Sequence, residues 1–93
     1  MTASELRQLT SEPTQLSGPL RALWFAAQGQ WEKAHHLVQD DDSSEAAWVH
    51  AYLHWEEGDT GNSRYWYNRA GKSQHGSDLA DEWLHSAAAL LKE

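Results

Sequence analysis

The stretch from His50 to Glu57 reads His-Ala-Tyr-Leu-His-Trp-Glu-Glu, with two imidazoles four residues apart and a carboxylate three residues beyond the second. On a helix turning about 100° per residue, His50, His54 and Glu57 fall within about 60° of one another. Two histidines and a carboxylate on one helix face form a three-donor set for a divalent metal ion. The same spacing also serves packing. His54 can hydrogen-bond Glu57, which sits near a helix C-terminus where the macrodipole disfavours a carboxylate, with His50 at the edge of the pair. The His-Glu-x-x-His order of zinc hydrolases is absent, because Ala51 follows His50.

Other residues that could do chemistry are weaker. Adjacent His35 and His36 diverge by about 100° on a helix and cannot chelate one ion by themselves, so both are expected at the surface, with His35 bordering a Trp31/Val38 stripe. His75 reads as a loop residue, and His85 lies on a polar face. Asp40-Asp41-Asp42 lacks the alternating acids, central glycine and distal glutamate of a calcium loop, so it reads as a solvated turn. From Thr60 to Ser77 there is no acidic residue, while Arg64, Arg69 and Lys72 supply positive charge among Tyr65, Trp66 and Tyr67. That patch suits an anion or an acidic peptide. Alternatively, Ser63, Trp66, Tyr67 and Ala70 pack inward while Arg64 and Arg69 pair with Glu56, Glu57 and Asp59. The chain has no cysteine, hence no thiolate ligand or nucleophile, and neither a glycine-rich phosphate loop nor a nucleophile elbow is present.

The elements that position these residues are helices. Valine occurs only at Val38 and Val49 and isoleucine is absent, so strand signals are nearly missing. Ser17-Gly18-Pro19 opens a helix carrying Leu20, Leu23, Trp24 and Ala27, and Gly29 stops it. A second helix presents Trp31, Ala34, Leu37 and Val38. Asp42 and Glu45 have capping-box spacing for a third helix, about Ser44 to Glu57. Gly58-Asp59 breaks that helix, Thr60 caps the next, and Gly71 closes it. Ser77 caps a last helix with a stripe of Leu79, Trp83, Ala87, Leu90 and Leu91. An N-terminal helix around Ala3–Leu9 completes the set. The third helix is apolar on two arcs, one with Trp48, Ala51, Tyr52 and Trp55 and the other with Ala46, Val49 and Leu53, which predicts a central helix packed on at least two sides.

Two windows superpose, "ALWFAAQGQWEKAHHLV" (22–38) and "AYLHWEEGDTGNSRYWY" (51–67), matching Ala22 to Ala51, Gly29 to Gly58 and small Ala34 to Ser63. A helix–turn–helix unit repeated once predicts two stacked hairpins. "GQWEKAHHLV" and "GNSRYWYNRAG" resemble the second-helix signature of tetratricopeptide and Sel-like repeats, with a turn glycine, an aromatic, a small residue and a late alanine. The string "WVHAYLH…EGD…YWYNRAG" is also similar to a group of small bacterial proteins of unassigned function. The units are shorter than the roughly 34 residues of a tetratricopeptide, and no proline closes them. The resemblance implies a short, degenerate repeat with Asp78–Lys92 as a capping helix, and peptide or protein binding along the first-helix face.

The expected architecture is a single all-α domain of five or six short helices over residues 1–93. It comprises an N-terminal segment (1–16), hairpins over 19–39 and 44–70, and a capping helix over 78–92. A chain of this size buries roughly two-thirds of its unfolded surface, and six tryptophans supply large apolar area. A formal charge of −7 argues against duplex nucleic acid and anionic membranes as partners. No apolar run approaches the roughly 20 residues of a spanning helix, and Met1 to Thr10 lacks a signal-peptide profile, so the expected location is the cytoplasm. The leading functional reading is a non-enzymatic helical-repeat module, without cofactor, that binds another protein or a peptide. Trp48, Tyr52, Trp55 and Glu56 would form its aromatic groove, and Arg64 and Arg69 its charge partners. A second reading is a divalent-metal or small-ligand protein using His50, His54 and Glu57. A third is self-association that buries the aromatic face in a homodimer.

Overall fold

A computed structural model of the chain describes residues 1–92 and contains six helices and, among the described residues, no strand. They are α1 (Ala3–Gln8), α2 (Gly18–Ala27), α3 (Trp31–Val38), α4 (Ser44–Glu56), α5 (Thr60–Ala70) and α6 (Leu79–Leu91). None is long and apolar enough to cross a membrane.

Short polar side chains start every helix but α3 by accepting orphan backbone N–H groups. Thr2 and Glu5 close a reciprocal capping box on α1, and Ser17 accepts from Leu20 N at the start of α2. Three caps lie one residue from their expected places. Ser43, not Asp42, caps α4 by accepting from Ala46 N at 3.1 Å, while Asp41 receives the Ser43 N–H. Asp59, not Thr60, caps α5, because its carboxylate takes both the backbone N–H and the side-chain amide of Asn62. Asp78, not Ser77, caps α6 through Asp81 N, and Ser77 donates to the Asp81 carboxylate instead. Gly29, Gly58 and Gly71 take positive φ at the turns that end α2, α4 and α5, a conformation that costs glycine little.

Helix α2 packs on α3 and α4 on α5, and α4 also touches α2, α3 and α6. That central position explains why α4 is apolar on two sides. Ala46, Val49, Tyr52 and Leu53 join the main core with Leu20, Leu23 and Trp24 of α2, Ala34 and Val38 of α3, and Trp83 and Ala87 of α6. Ala47, Trp48 and Ala51 form a second cluster with Tyr67 and Ala70 of α5. Tyr52 thus belongs with the Val49 side rather than the Trp48 side.

Three indole N–H groups join helices to carbonyls elsewhere in the chain: Trp24 to Leu9 O (3.0 Å), Trp31 to Leu53 O (2.7 Å) and Trp83 to Leu23 O (2.7 Å). Fully buried Glu82 organises the loop before α6. It accepts from Tyr67 Oη at 2.6 Å and from the N–H groups of His75 and Gly76 at 3.0 Å each. Burial, and then this hydrogen bond, push the Tyr67 phenol far above its ordinary range.

Candidate metal centre

Trp31 and His35 lie one turn apart on α3, so both face the same neighbour. The Trp31 N–H bond to Leu53 O sets α3 against α4, and the Trp31 ring stacks on His35 with centroids 4.7 Å apart and planes 10° from parallel. His50 and His54, one turn apart on α4, stack on each other at 4.8 Å. His35 meets both edge-on, at 4.7 Å from His50 and 5.4 Å from His54. From α5, Trp66 covers His50 with centroids 4.0 Å apart and planes 18° apart, and the Arg69 guanidinium lies over the Trp66 ring at 5.2 Å. Three imidazoles from two helices therefore share a pocket walled by two indoles.

The Nε2 atoms of His35 and His50 are 3.0 Å apart. One ligating nitrogen from each of His35, His50 and His54 lies within 4.8 Å of the other two. A tetrahedral ion with metal–nitrogen bonds of about 2.0–2.1 Å holds its ligands about 3.3 Å apart. One pair is already close to that spacing, and no pair needs to close by more than about 1.5 Å. Glu57 Oε2 lies 2.6 Å from His54 Nδ1, so its carboxylate orients the imidazole and leaves the other ring nitrogen for an ion. Sequence spacing names Glu57 as the third ligand. In the structure it contacts the histidine ring, and His35 completes the trio. His54, Glu57 and Asp59 also lie close together, but the Asp59 carboxylate is occupied in capping α5.

Burial favours the neutral imidazole. It pushes His50, with help from neighbouring His54 and His35, down to about 4. It also lowers His35, and His54 adds to that shift. A neutral imidazole with a free lone pair is the form a metal ion takes. His50 Nδ1 is buried without a hydrogen-bond partner, which places the polar demand of this ring on Nε2.

The expectation that His35 lies at the surface is corrected: the ring is half-buried between Trp31 and the α4 histidines. The sequence signal was the Trp31/His35 pair at helical spacing, parallel to His50/His54. His36 is exposed and contacts Gln39. His75 and His85 stack on each other at 3.9 Å, away from the trio, and both are exposed.

The aromatic groove needs a similar correction. Trp48 is 4% exposed and Tyr52 5%, so neither presents a surface to a partner. Trp48 lies in the cluster with Tyr67, Ala70 and half-buried Leu90, and the Lys72 ammonium sits 4.7 Å over its ring. Trp55 and Glu56 are half-buried. One Glu56 oxygen is buried without a partner, and burial raises this carboxyl. Arg64 and Arg69 are exposed and do not form the expected pairs with Glu56, Glu57 or Asp59. Arg69 instead contacts the Trp66 ring and Tyr65 Oη.

No family model, curated protein or solved structure matches the chain.

Proposed function

We propose that this protein binds a divalent first-row transition-metal ion through His35, His50 and His54, with Glu57 orienting His54. The observation that carries the reading is the convergence of one nitrogen from each imidazole within 4.8 Å. Neutral imidazoles suit zinc, copper, nickel and cobalt, whereas calcium and magnesium require oxygen ligands. Three protein donors leave a further position on the ion for water or a small exogenous ligand. In a chain without cysteine, an ion held jointly by α3 and α4 would also cross-link two helices and raise stability by mass action.

The test uses untagged protein stripped with a chelator, loaded separately with zinc, nickel and copper, and weighed by native mass spectrometry. One ion per chain is expected, with loss of stoichiometric loading in His50→Ala and retention in His36→Ala. Absence of uptake, or uptake undiminished in a His35→Ala/His50→Ala double variant that still melts cooperatively, would remove the assignment.

A further inference from the structure

A second feature lies on the other side of α5. Arg64 and Asn68 are one turn apart, and Trp66 between them points about half a turn away, toward His50. Arg64 and Asn68, with Trp55, Tyr67, Lys72 and Gln74, line a cleft of about 280 Å³ between the end of α4, α5 and the segment that follows α5. Two cations line the cleft and no carboxylate does, although the chain carries a net charge of −7.

Two of the three acids nearest in sequence are engaged elsewhere, and the third, Glu56, is drawn into the protein without pairing with Arg64. Glu57 is held by His54 and Asp59 by Asn62, and Glu56 is half-buried with one oxygen fully enclosed. The Arg64 side chain consequently makes no hydrogen bond or ion pair with any described residue. The indole N–H of half-buried Trp55 and the side-chain amides of Asn68 and Gln74 are likewise unengaged. Tyr67 is different: its hydroxyl is committed to Glu82, so it contributes only a wall. The Lys72 ammonium rests over Trp48, leaving its hydrogen-bond donors free.

We infer that this cleft binds a small organic anion, a carboxylate or phosphate monoester carried on a planar ring, with Arg64 and Lys72 taking the charge and Trp55 the ring. A guanidinium fork matches either oxyanion in bidentate fashion. The volume lies just below the usual range for small-molecule sites, which limits the ligand to about one ring and its anionic group. The cleft shares no lining residue with the histidine trio, so the two sites can be tested separately.

The probes are phenyl phosphate, benzoate and inorganic phosphate. Each is titrated into chelator-treated, ¹⁵N-labelled protein at constant ionic strength while the Trp55 indole and Arg64 Nε–H signals are followed. Saturable shifts at these groups with phenyl phosphate or benzoate are expected, at least tenfold tighter than with inorganic phosphate. Whichever of the two ring compounds binds more tightly identifies the anion. Arg64→Ala and Trp55→Ala should each weaken binding at least tenfold, and exposed His36→Ala should leave it unchanged. Non-saturating shifts reproduced by sodium chloride, equal affinity for inorganic phosphate, or binding undiminished in a folded Arg64→Ala variant would each overturn the inference. Arg64 is exposed, so its truncation leaves the core intact, which the spectrum of the variant itself verifies.

Discussion

The Nε2 atoms of His35 and His50, fifteen residues apart in the chain, meet at 3.0 Å across the α3–α4 contact. Such a contact holds one proton between two nitrogens. An ion bound to both nitrogens must displace that proton, which moves to the opposite side of a ring. Metal and proton therefore compete for the same contact.

Affinity should follow ligand number and then ligand support. By calorimetry, His35→Ala and His50→Ala, each reduced to two imidazoles, should lose measurable zinc binding. Glu57→Gln keeps all three ligands but loses the carboxylate on His54 Nδ1, and should bind about 10–100-fold more weakly. His36→Ala should match the parent.

The same substitution at two buried tryptophans should have different costs. Trp83→Phe removes a 2.7 Å hydrogen bond to Leu23 O as well as volume, and should cost about 2–3 kcal/mol. Trp48→Phe removes an indole N–H that is buried without a partner. Relief of that unmet donor offsets much of the lost packing, leaving a cost below about 1 kcal/mol. Trp48→Ala leaves a cavity and should cost about 3–5 kcal/mol. Urea denaturation of the three variants measures each difference.

Glu56 makes stability depend on pH. Its carboxyl is raised in the folded state by burial, so the folded protein holds its proton more tightly than the unfolded chain. Stability is unaffected by this group below the ordinary carboxyl range, and falls as pH rises from about 4.5 through the raised folded value. Glu56→Gln removes the ionisation. It should stabilise the protein at pH 7 and make little difference at pH 4, as read from melts at both values.

Two glycines around the loop before α6 should respond differently to alanine. At Gly71 the side chain would meet open space, and the positive φ of 69° alone should cost about 1 kcal/mol. At Gly76 a Cβ would lie 2.5 Å from Glu82 N and 2.8 Å from Asp81 Cβ. Backbone must then move, and the Gly76 N–H bond to Glu82 is put at risk. Gly76→Ala should cost about 2 kcal/mol or more. Thermal melts of both variants provide the comparison.

The all-α fold and the central place of α4 are legible in the sequence because periodicity and composition carry them. Apolar residues on both arcs of one helix require neighbours on both sides. Cap positions are less legible, since Asp42/Ser43, Asp59/Thr60 and Ser77/Asp78 each put two competent acceptors side by side and chain direction chooses between them. Trp48 and Trp55 share an arc, and only the arrival of α5 and Leu90 buries the first while leaving the second half-exposed. Within the site, His50 meets His54, and His54 meets Glu57, through the local spacing of α4. His35 reaches them through space, and local spacing carries no record of that contact.

The Trp83 indole bond to Leu23 O spans sixty residues. The α2–α3 and α4–α5 pairs, by contrast, consist of helices adjacent in the chain. Contacts between sequence neighbours close small loops and form early. Topology therefore favours hairpins that assemble before the chain is collected into one body, with α6 docking against surfaces already built. Interactions made only on its arrival, Trp83 to Leu23 among them, chiefly retard unfolding and scarcely alter the folding rate.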